Sequence, residues 1–147
     1  MADEIRRVEH YTLDIENKAG SAARVLEVLR DMRVNLIALW GYAIERGVAA
    51  LEVIPEDTAA FIAAAKSAGL TLGEPKSAFY VTGTDRLGAV AETLTQLALA
   101  KINVGAVQAV SDSRGFFGAV IYVAPSDVEK AQAHLRAPDA RAAHRKA

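Results

Sequence analysis

The sequence of 147 residues contains no cysteine, so neither a disulfide bond nor a thiolate metal site can form. It has no apolar run near the ~18 residues that a membrane-spanning helix needs. Its beginning, Met1-Ala2-Asp3-Glu4, lacks the basic and apolar regions of a signal peptide. The net charge of −1 gives no electrostatic basis for binding nucleic acid. We therefore expect a cytoplasmic protein that binds neither membranes nor nucleic acids.

Residue sets that would support catalysis are also missing. No Ser-His-Asp set can be assembled from local motifs. The three histidines, His10, His134 and His144, have no metal-ligand spacing, and we interpret all three as surface residues. We therefore expect neither an enzyme nor a cofactor. The hydrophobic content of 52% is enough for a buried core.

The sequence does contain a tandem repeat with an offset of 68 residues. Residues of the same type, or closely similar ones, recur at that offset in the pairs Asn17 and Asp85, Gly20 and Gly88, Leu26 and Leu94, Asn35 and Asn103, and Gly47 and Gly115. The offset is 70 at Pro55 and Pro125, so the second copy is two residues longer. Two copies predict a pair of small domains rather than a solenoid, which usually needs three or more repeats.

Hydrophobic periodicity predicts the same element order in both copies. We predict strands at 5–16, 34–44, 48–54 and 70–72 with helices at 20–33 and 58–68, then strands at 77–83, 102–110 and 116–123 with helices at 87–101 and 126–135. This order predicts the α/β (α+β) class, with two ferredoxin-like βαββαβ units, each an antiparallel sheet with its helices on one face.

The repeat also predicts the domain organisation. The first unit is expected at 5–75, the second at 76–136, and a flexible basic tail at 137–147. The second copy has no fourth strand of its own. Either the long strand 5–16 or the irregular segment 70–79 could fill that position.

The turn between the first strand and the first helix carries the candidate chemistry of each copy. The two turns are Asn17-Lys18-Ala19-Gly20 and Asp85-Arg86-Leu87-Gly88. Asn or Asp suits a helix N-cap, and Gly lets a ligand approach the main chain. A helix start offers free N–H groups and the positive end of a dipole, which together attract a carboxylate. A single such turn would be ordinary, but two in register favour a binding site.

The pattern of strand, Asn/Asp-x-x-Gly, helix and then Val34-Asn35-Leu36 or Ile102-Asn103-Val104 resembles the ACT domain. The resemblance covers about residues 8–135 as two copies. Residues 16–20 are also similar to the opening of the small regulatory subunit of acetolactate synthase and to free-standing tandem ACT proteins. This family resemblance implies a regulatory protein that senses an amino acid and modulates a separate partner enzyme of amino-acid metabolism.

The resemblance also implies a set of site residues. In the family a small amino acid sits between two ACT units, held by the turn of one unit and strand residues of its neighbour. The ligand-binding residues carried over are Asn17, Ala19, Gly20, Ser21 and Asn35 in the first copy and Asp85, Leu87, Gly88, Ala89 and Asn103 in the second. We expect the neutral first copy to be the better carboxylate site. Asp85 would repel a carboxylate, although it could pair with an ammonium group or simply cap the helix.

The family often has Pro immediately before the turn Gly, where this chain has Ala19 and Leu87. Because Pro would fix φ at that position, both turns are expected to be looser here. This departure keeps an alternative function open, a ligand-free structural or regulatory subunit that dimerises and docks on an enzyme.

Assembly is expected from the size of each copy. A unit of about 68 residues has a marginal core, and open sheet edges tend to pair. We expect the strand that begins at Val34 or at Ile102 to pair with a neighbouring unit, within the chain or across a homodimer. Trp40 and Tyr42 share a strand face and could line a ligand pocket, stack in an interface or pack on the sheet.

Overall fold

The first strand of the chain contributes to two different compact units. In the computed structural model, which describes residues 2–139, β1 spans Glu4–Glu16. Its residues up to Val8 belong with Ser77–Ala147, and its remainder belongs to Glu9–Lys76. We call Glu9–Lys76 the first unit and Met1–Val8 with Ser77–Ala147 the second unit.

Each unit contains one copy of the repeat, and its elements follow the predicted order except for the short strand expected at 70–72. The first copy continues with α1 (Ser21–Asp31), β2 (Leu36–Glu45), β3 (Val48–Pro55) and α2 (Thr58–Ser67). The second copy consists of β4 (Lys76–Thr84), α3 (Ala89–Leu99), β5 (Val104–Ser111), β6 (Phe116–Val123), a 3₁₀ turn (Pro125–Asp127) and α4 (Val128–Leu135). None of the helices described is long and apolar enough to cross a bilayer.

The strands of each unit pair antiparallel around a buried central strand. In the first unit β3 lies between β1 and β2, with Leu13 opposite Leu51. In the second unit β6 lies between β4 and β5, with Val81 opposite Ala119. Alternate residues of these strands form one core per unit with the helices, which confirms the predicted α+β class with helices on one sheet face.

The repeat extends to the way the first helix of each copy ends. The N–H of Val34 donates to Leu29 O at 2.9 Å, and the N–H of Ile102 donates to Leu97 O at the same distance. The residues just before them, Arg33 and Lys101, have φ angles of 59° and 57°. Equivalent left-handed residues and hydrogen bonds show that the sequence repeat is a structural repeat.

The N-terminal part of β1 supplies the fourth strand that the second copy lacks. It lies next to β4, and Arg7 holds it there through Ser77 Oγ (3.2 Å), Glu129 Oε1 (2.6 Å) and Gln132 Oε1 (2.8 Å). The N–H of Arg7 also donates to Pro138 O. The hypothesis that the long first strand fills this position is supported.

The segment after α2 differs from its prediction. Residues 70–75 form no regular strand, so the short strand predicted at 70–72 is wrong. Leu70 and Leu72 instead pack against the core of the first unit, and the N–H of Gly73 donates to Thr12 O. Of the predicted tail, residues 137–139 are described and lie beside β1, whereas 140–147 lie outside the described residues.

Candidate functional site

The two strand-to-helix turns make equivalent backbone hydrogen bonds. In each copy the turn is tied to the hairpin between the second and third strands and closed by a bond into the first residue of the helix. These bonds run from Asn17 N to Gly47 O (3.0 Å) and Ser21 N to Lys18 O (3.3 Å), and from Asp85 N to Gly115 O (2.8 Å) and Ala89 N to Arg86 O (3.2 Å).

Glycine, rather than Asn or Asp, occupies the N-cap of each helix. Gly20 (φ 88°, ψ −12°) and Gly88 (φ 79°, ψ 10°) have the angles of the third residue of a type II turn, where φ is positive. Pro is favoured at the preceding position of such a turn, which explains the family pattern that Ala19 and Leu87 depart from. Among the described residues no side chain caps α1 or α3, so both helix starts can accept an anion.

The first turn has a buried hydroxyl without a partner. Ser21 is 6% exposed, and within residues 2–139 its Oγ makes no hydrogen bond. A buried polar group left unpaired costs about 1–3 kcal/mol. The second copy has Ala89 at the same position, equally buried, so the fold itself does not need the hydroxyl.

Charged groups flank the first turn on its solvent side. Asn17 and Ala19 are exposed. Lys18 forms an ion pair with Glu16, and its hydrogen bond to that carboxylate lowers the pKa of Glu16. The pair leaves Asn17 and Ser21 as the neutral polar groups of this turn.

The second turn borders an open cleft of about 290 Å³ between the start of α3 and the end of β5. The carboxylate of Asp85 accepts a hydrogen bond from Ser111 Oγ at 2.7 Å, so Asp85 does not cap the helix. Its negative charge therefore lies beside the positive end of α3. A zwitterion would complement that arrangement, with its carboxylate at the helix start and its ammonium group at Asp85.

Arg86 in the second turn is paired with acidic groups of its own unit. Its guanidinium donates to both carboxylate oxygens of Asp3 (3.0 and 3.1 Å) and to Glu92. These hydrogen bonds raise the pKa of Arg86. Leu87, beside it, is fully exposed.

Asn35 and Asn103 lie at the opposite end of their sheets from the turns. Asn35 donates its side-chain amide to Glu56 Oε2 at 3.0 Å, next to the paired residues Leu36 and Pro55. Asn103 likewise precedes Val104, which pairs with the last residue of β6. The structure therefore does not bring either Asn to the turn of its own unit, and each could contribute only to a site on a neighbouring unit.

A polar cluster around two buried residues lies on the sheet face of the first unit opposite the helices, and no local sequence motif indicates it. Glu52 accepts hydrogen bonds from Thr12 Oγ1 (2.7 Å), from Tyr42 OH (2.9 Å) and from His10 Nε2. His10 and Glu52 are each 4% exposed, so the prediction that His10 is a surface residue is wrong. Trp40 stacks on His10 with ring centroids 5.2 Å apart. We call His10, Thr12, Trp40, Tyr42 and Glu52 the His10–Glu52 cluster.

Burial and hydrogen bonding set the charge state of this cluster. Burial lowers the pKa of His10 below 6.5, although the hydrogen bond that His10 donates to Glu52 acts in the opposite direction. Burial raises the pKa of Glu52, but the hydrogen bonds from Thr12, His10 and Tyr42 together hold it below 4.5. At neutral pH the cluster therefore contains a carboxylate and a neutral imidazole.

Only the pairing register of three strands brings the residues of this cluster together, so the cluster cannot be predicted from local sequence. Glu52 lies opposite Thr12 on one side and opposite Trp40 on the other. No local motif brings these residues together, because they come from three strands. For Trp40 the observed role is packing against His10, whereas the Tyr42 ring is 52% exposed and bound through its hydroxyl.

No group of three or more His, Asp or Glu side chains between residues 2 and 139 is arranged to hold a metal ion. No family model matches the sequence, and no curated protein matches it either.

Solved structures match nearly the whole chain. Protein BT0572 from Bacteroides thetaiotaomicron is 21% identical, with 90% of this chain and 88% of that chain covered and a TM-score of 0.76. The ligand-free regulatory subunit of aspartate kinase from Thermus thermophilus is 12% identical, with coverages of 92% and 93% and a TM-score of 0.60. The corresponding subunit from Thermus flavus is 17% identical, with coverages of 92% and 92% and a TM-score of 0.52.

These similarities define the class of fold. The chain has the fold of tandem ACT domains, as its sequence pattern predicted. Identities this low establish the fold and leave the ligand and the partner to be derived from the site.

Proposed function

We propose that this chain is a cytoplasmic regulatory protein, not an enzyme, that binds a small amino acid at its strand-to-helix turns. In this proposal it modulates a partner enzyme of amino-acid metabolism. The observation that carries the proposal is the pair of helix starts, each opened by a left-handed glycine and capped by no side chain from residues 2–139. Two of the similar structures are regulatory subunits of aspartate kinase, which supports a regulatory role for this fold.

The polar groups beside the two helix starts support an amino acid as the ligand. Free N–H groups and the helix dipole suit its carboxylate in both copies. In the first copy, Asn17 and the unpaired hydroxyl of Ser21 add neutral hydrogen-bonding groups. In the second copy, Asp85 adds a carboxylate for the ammonium group beside a cleft suited to a small molecule. We expect the first copy to bind the carboxylate more tightly because Asp85 repels it in the second.

A thermal-shift screen against the twenty amino acids tests this function. A ligand that binds only the folded state raises Tm by mass action. We expect one amino acid, or a few of similar shape, to raise Tm, and its N-acetyl derivative to raise it less because the ammonium group is lost. A screen in which no amino acid raises Tm at millimolar concentration would contradict the proposal.

The alternative function is a ligand-free subunit that dimerises and docks on an enzyme. It is favoured by the pairing of Arg86 with Asp3 and Glu92, which leaves that cation saturated by its own unit. The absence of Pro before Gly20 and Gly88 also favours it. To distinguish the amino-acid sensor from the ligand-free subunit, the full chain is purified from its native host and tested for a co-purifying enzyme. The result is then compared with that of the thermal-shift screen. An enzyme that co-purifies with a chain insensitive to every amino acid would support the alternative.

A further inference from the structure

The His10–Glu52 cluster is present in only one of the two copies of the fold. Residue pairing gives the counterpart of Glu52 as Val120, which lies opposite Tyr80 and Gln108 just as Glu52 lies opposite Thr12 and Trp40. The offset of 68 residues gives Ala78 as the counterpart of His10. The second copy folds without the cluster, so the architecture does not need a buried carboxylate or imidazole at these positions.

A buried ionised group is expensive unless its hydrogen bonds compensate for lost water. Glu52 meets that condition through three neutral donors on two neighbouring strands, His10 and Thr12 on β1 and Tyr42 on β2. The central strand β3 is thereby connected through one side chain to both of its neighbours. The connection to β2 matters most for holding the sheet together, because β2 is the edge strand of the first unit and, within the described chain, is paired only with β3.

The pairing of β2 is irregular at both ends. Its register with β3 shifts between Leu36 and Ala38 and again between Ala43 and Glu45. The regular stretch between these shifts carries Trp40 and Tyr42, the two β2 residues of the cluster. The stack of Trp40 on His10 and the hydrogen bond of Tyr42 to Glu52 therefore act on the part of β2 that is held in register.

We propose that the His10–Glu52 cluster is a pH-sensitive latch on edge strand β2, which opens when His10 is protonated. A charged imidazolium at this position must lose its hydration, and the positive charge of Lys76 acts against it. The Glu52 carboxylate attracts the imidazolium and delays opening to lower pH. Tyr42 and Thr12 contribute no charge at this pH, and Asp14 faces the Tyr42 side of the cluster.

Displacement of β2 is the movement that lets water reach a protonated His10 with the fewest core contacts broken. As an edge strand, β2 is paired on one side only within the described chain, and it contributes only the partly buried Leu36 to a core whose buried residues come from β1, β3, α1 and α2. Opening would expose Trp40 and hydrate His10 without disrupting the core residues Tyr11, Leu13 and Val53. Its physical consequence is an acid-sensitive edge at the first unit that the second unit does not have.

The single tryptophan of the chain, Trp40, reports this event directly. The experiment is a fluorescence titration of the full chain from about pH 8 to about pH 5, across the range in which histidine titrates. We expect the emission of the parent protein to shift to longer wavelength below pH 6.5, as Trp40 leaves His10 and gains water. In His10→Gln, which keeps an N–H donor for Glu52 but does not titrate, we expect no shift.

The matched control is His134→Gln. His134 is exposed on α4, and its replacement should leave the Trp40 titration of the parent unchanged. Quenching without a wavelength shift would show that His10 titrates while β2 stays in place, and it would overturn the latch. A shift that persists in His10→Gln would overturn it as well.

Hydrogen exchange provides a second measurement should His10→Gln fail to fold. In the parent protein, the exchange rates of the amides of residues 36–45 are measured at about pH 7.5 and about pH 5.5 and divided by the intrinsic rates at each pH. The corrected rates should be higher at the lower pH, because β2 opens more often there. The amides of β5 in the second unit should show no such increase. Equal behaviour of the two edge strands would contradict the proposal.

Discussion

The first residue of the first helix in each copy, Ser21 or Ala89, differs by one hydroxyl oxygen. Ser21 and Ala89 start equivalent helices and are equally buried, yet the Ser21 hydroxyl has no partner within residues 2–139. An unpaired buried hydroxyl lowers stability, so we propose that Ser21 serves ligand binding rather than folding.

Replacement of Ser21 by Ala tests this explanation in the free protein. We expect Ser21→Ala to raise the free energy of unfolding by about 1 kcal/mol, because a desolvated hydroxyl is removed. Denaturant unfolding measures the change, and the matched variant Ala89→Ser should lower stability by a similar amount. A loss of stability in Ser21→Ala would show that the hydroxyl already has a partner in the free protein.

Glu52 is the second residue with a strong expected effect. Its replacement by Gln removes the charge that three donors share, which we expect to destabilise the protein by about 2 kcal/mol at neutral pH. Glu56→Gln, at an exposed carboxylate that accepts one hydrogen bond from Asn35, should change stability by less than about 0.5 kcal/mol. Equal effects of the two variants in urea unfolding would contradict the role assigned to Glu52.

The pH dependence of stability follows from the same residue. Because the pKa of Glu52 is lower in the folded protein than its ordinary value of 4.5, the stability that its ionisation contributes is lost as pH falls below 4.5 through the folded pKa, in a step separate from the protonation of His10 at higher pH. Glu52→Gln should remove that part of the acid dependence. The difference in unfolding free energy between parent and variant should therefore shrink as the pH is lowered below 4.5.

At the scale of elements, the sequence predicted which segments are helices and strands because their apolar spacing is local. Strand β6 was predicted at its observed bounds, and α1 and α3 were each predicted one to two residues too long at both ends. The short strand at 70–72 failed because apolar alternation there serves core packing without a strand partner. Burial of His10 could not be predicted, since it depends on the register of three strands.

The use of β1 by both units is the element-scale feature with the clearest test. Removal of residues 2–8 deletes the strand next to β4 and the Arg7 contacts to α4. We expect faster amide exchange throughout β4 and α4, because β4 loses the strand beside it and α4 loses its contacts with Arg7. Exchange in the core of α1 should be unaffected.

The control for that deletion is removal of Ala2 and Asp3 alone. It breaks the pair between Asp3, whose side chain is 10% exposed, and Arg86, and it leaves β1 intact, so it should change amide exchange in β4 less than the longer deletion does. Unchanged exchange in β4 after the longer deletion would show that residues 4–8 are not a structural part of the second unit.

At the scale of the whole molecule, the edge strands predict assembly. The sequence from Leu36 to Ile44 contains no charged residue, and neither does β5. Leu39, Tyr42 and Ile44 on β2 are between 43% and 54% exposed. Edge strands are usually protected by charges or proline, so we expect a second copy of the chain to cover one of these edges.

Light scattering tests the expected homodimer. The parent chain should have about twice its monomer mass of 15.6 kDa. A lysine on the pairing edge should give a monomer, so Leu39→Lys and Val107→Lys examine β2 and β5 separately. A parent protein of monomer mass would contradict the prediction.

Calorimetric titration of three glycine variants tests whether the strand-to-helix turns bind an amino acid. The titrant is the amino acid that gives the largest shift in the thermal screen. Gly20→Val and Gly88→Val each place a side chain at a turn, whereas Gly69→Val introduces similar strain at the end of α2. All three glycines have positive φ, and a Cβ at each would meet no atom within 4 Å.

We expect Gly20→Val to abolish binding at the first turn and Gly88→Val to weaken total binding less, because Asp85 makes the second turn a poorer carboxylate site. Gly69→Val should bind like the parent chain. Parent-like binding by Gly20→Val, or the same loss in Gly69→Val as in Gly20→Val, would contradict the claim.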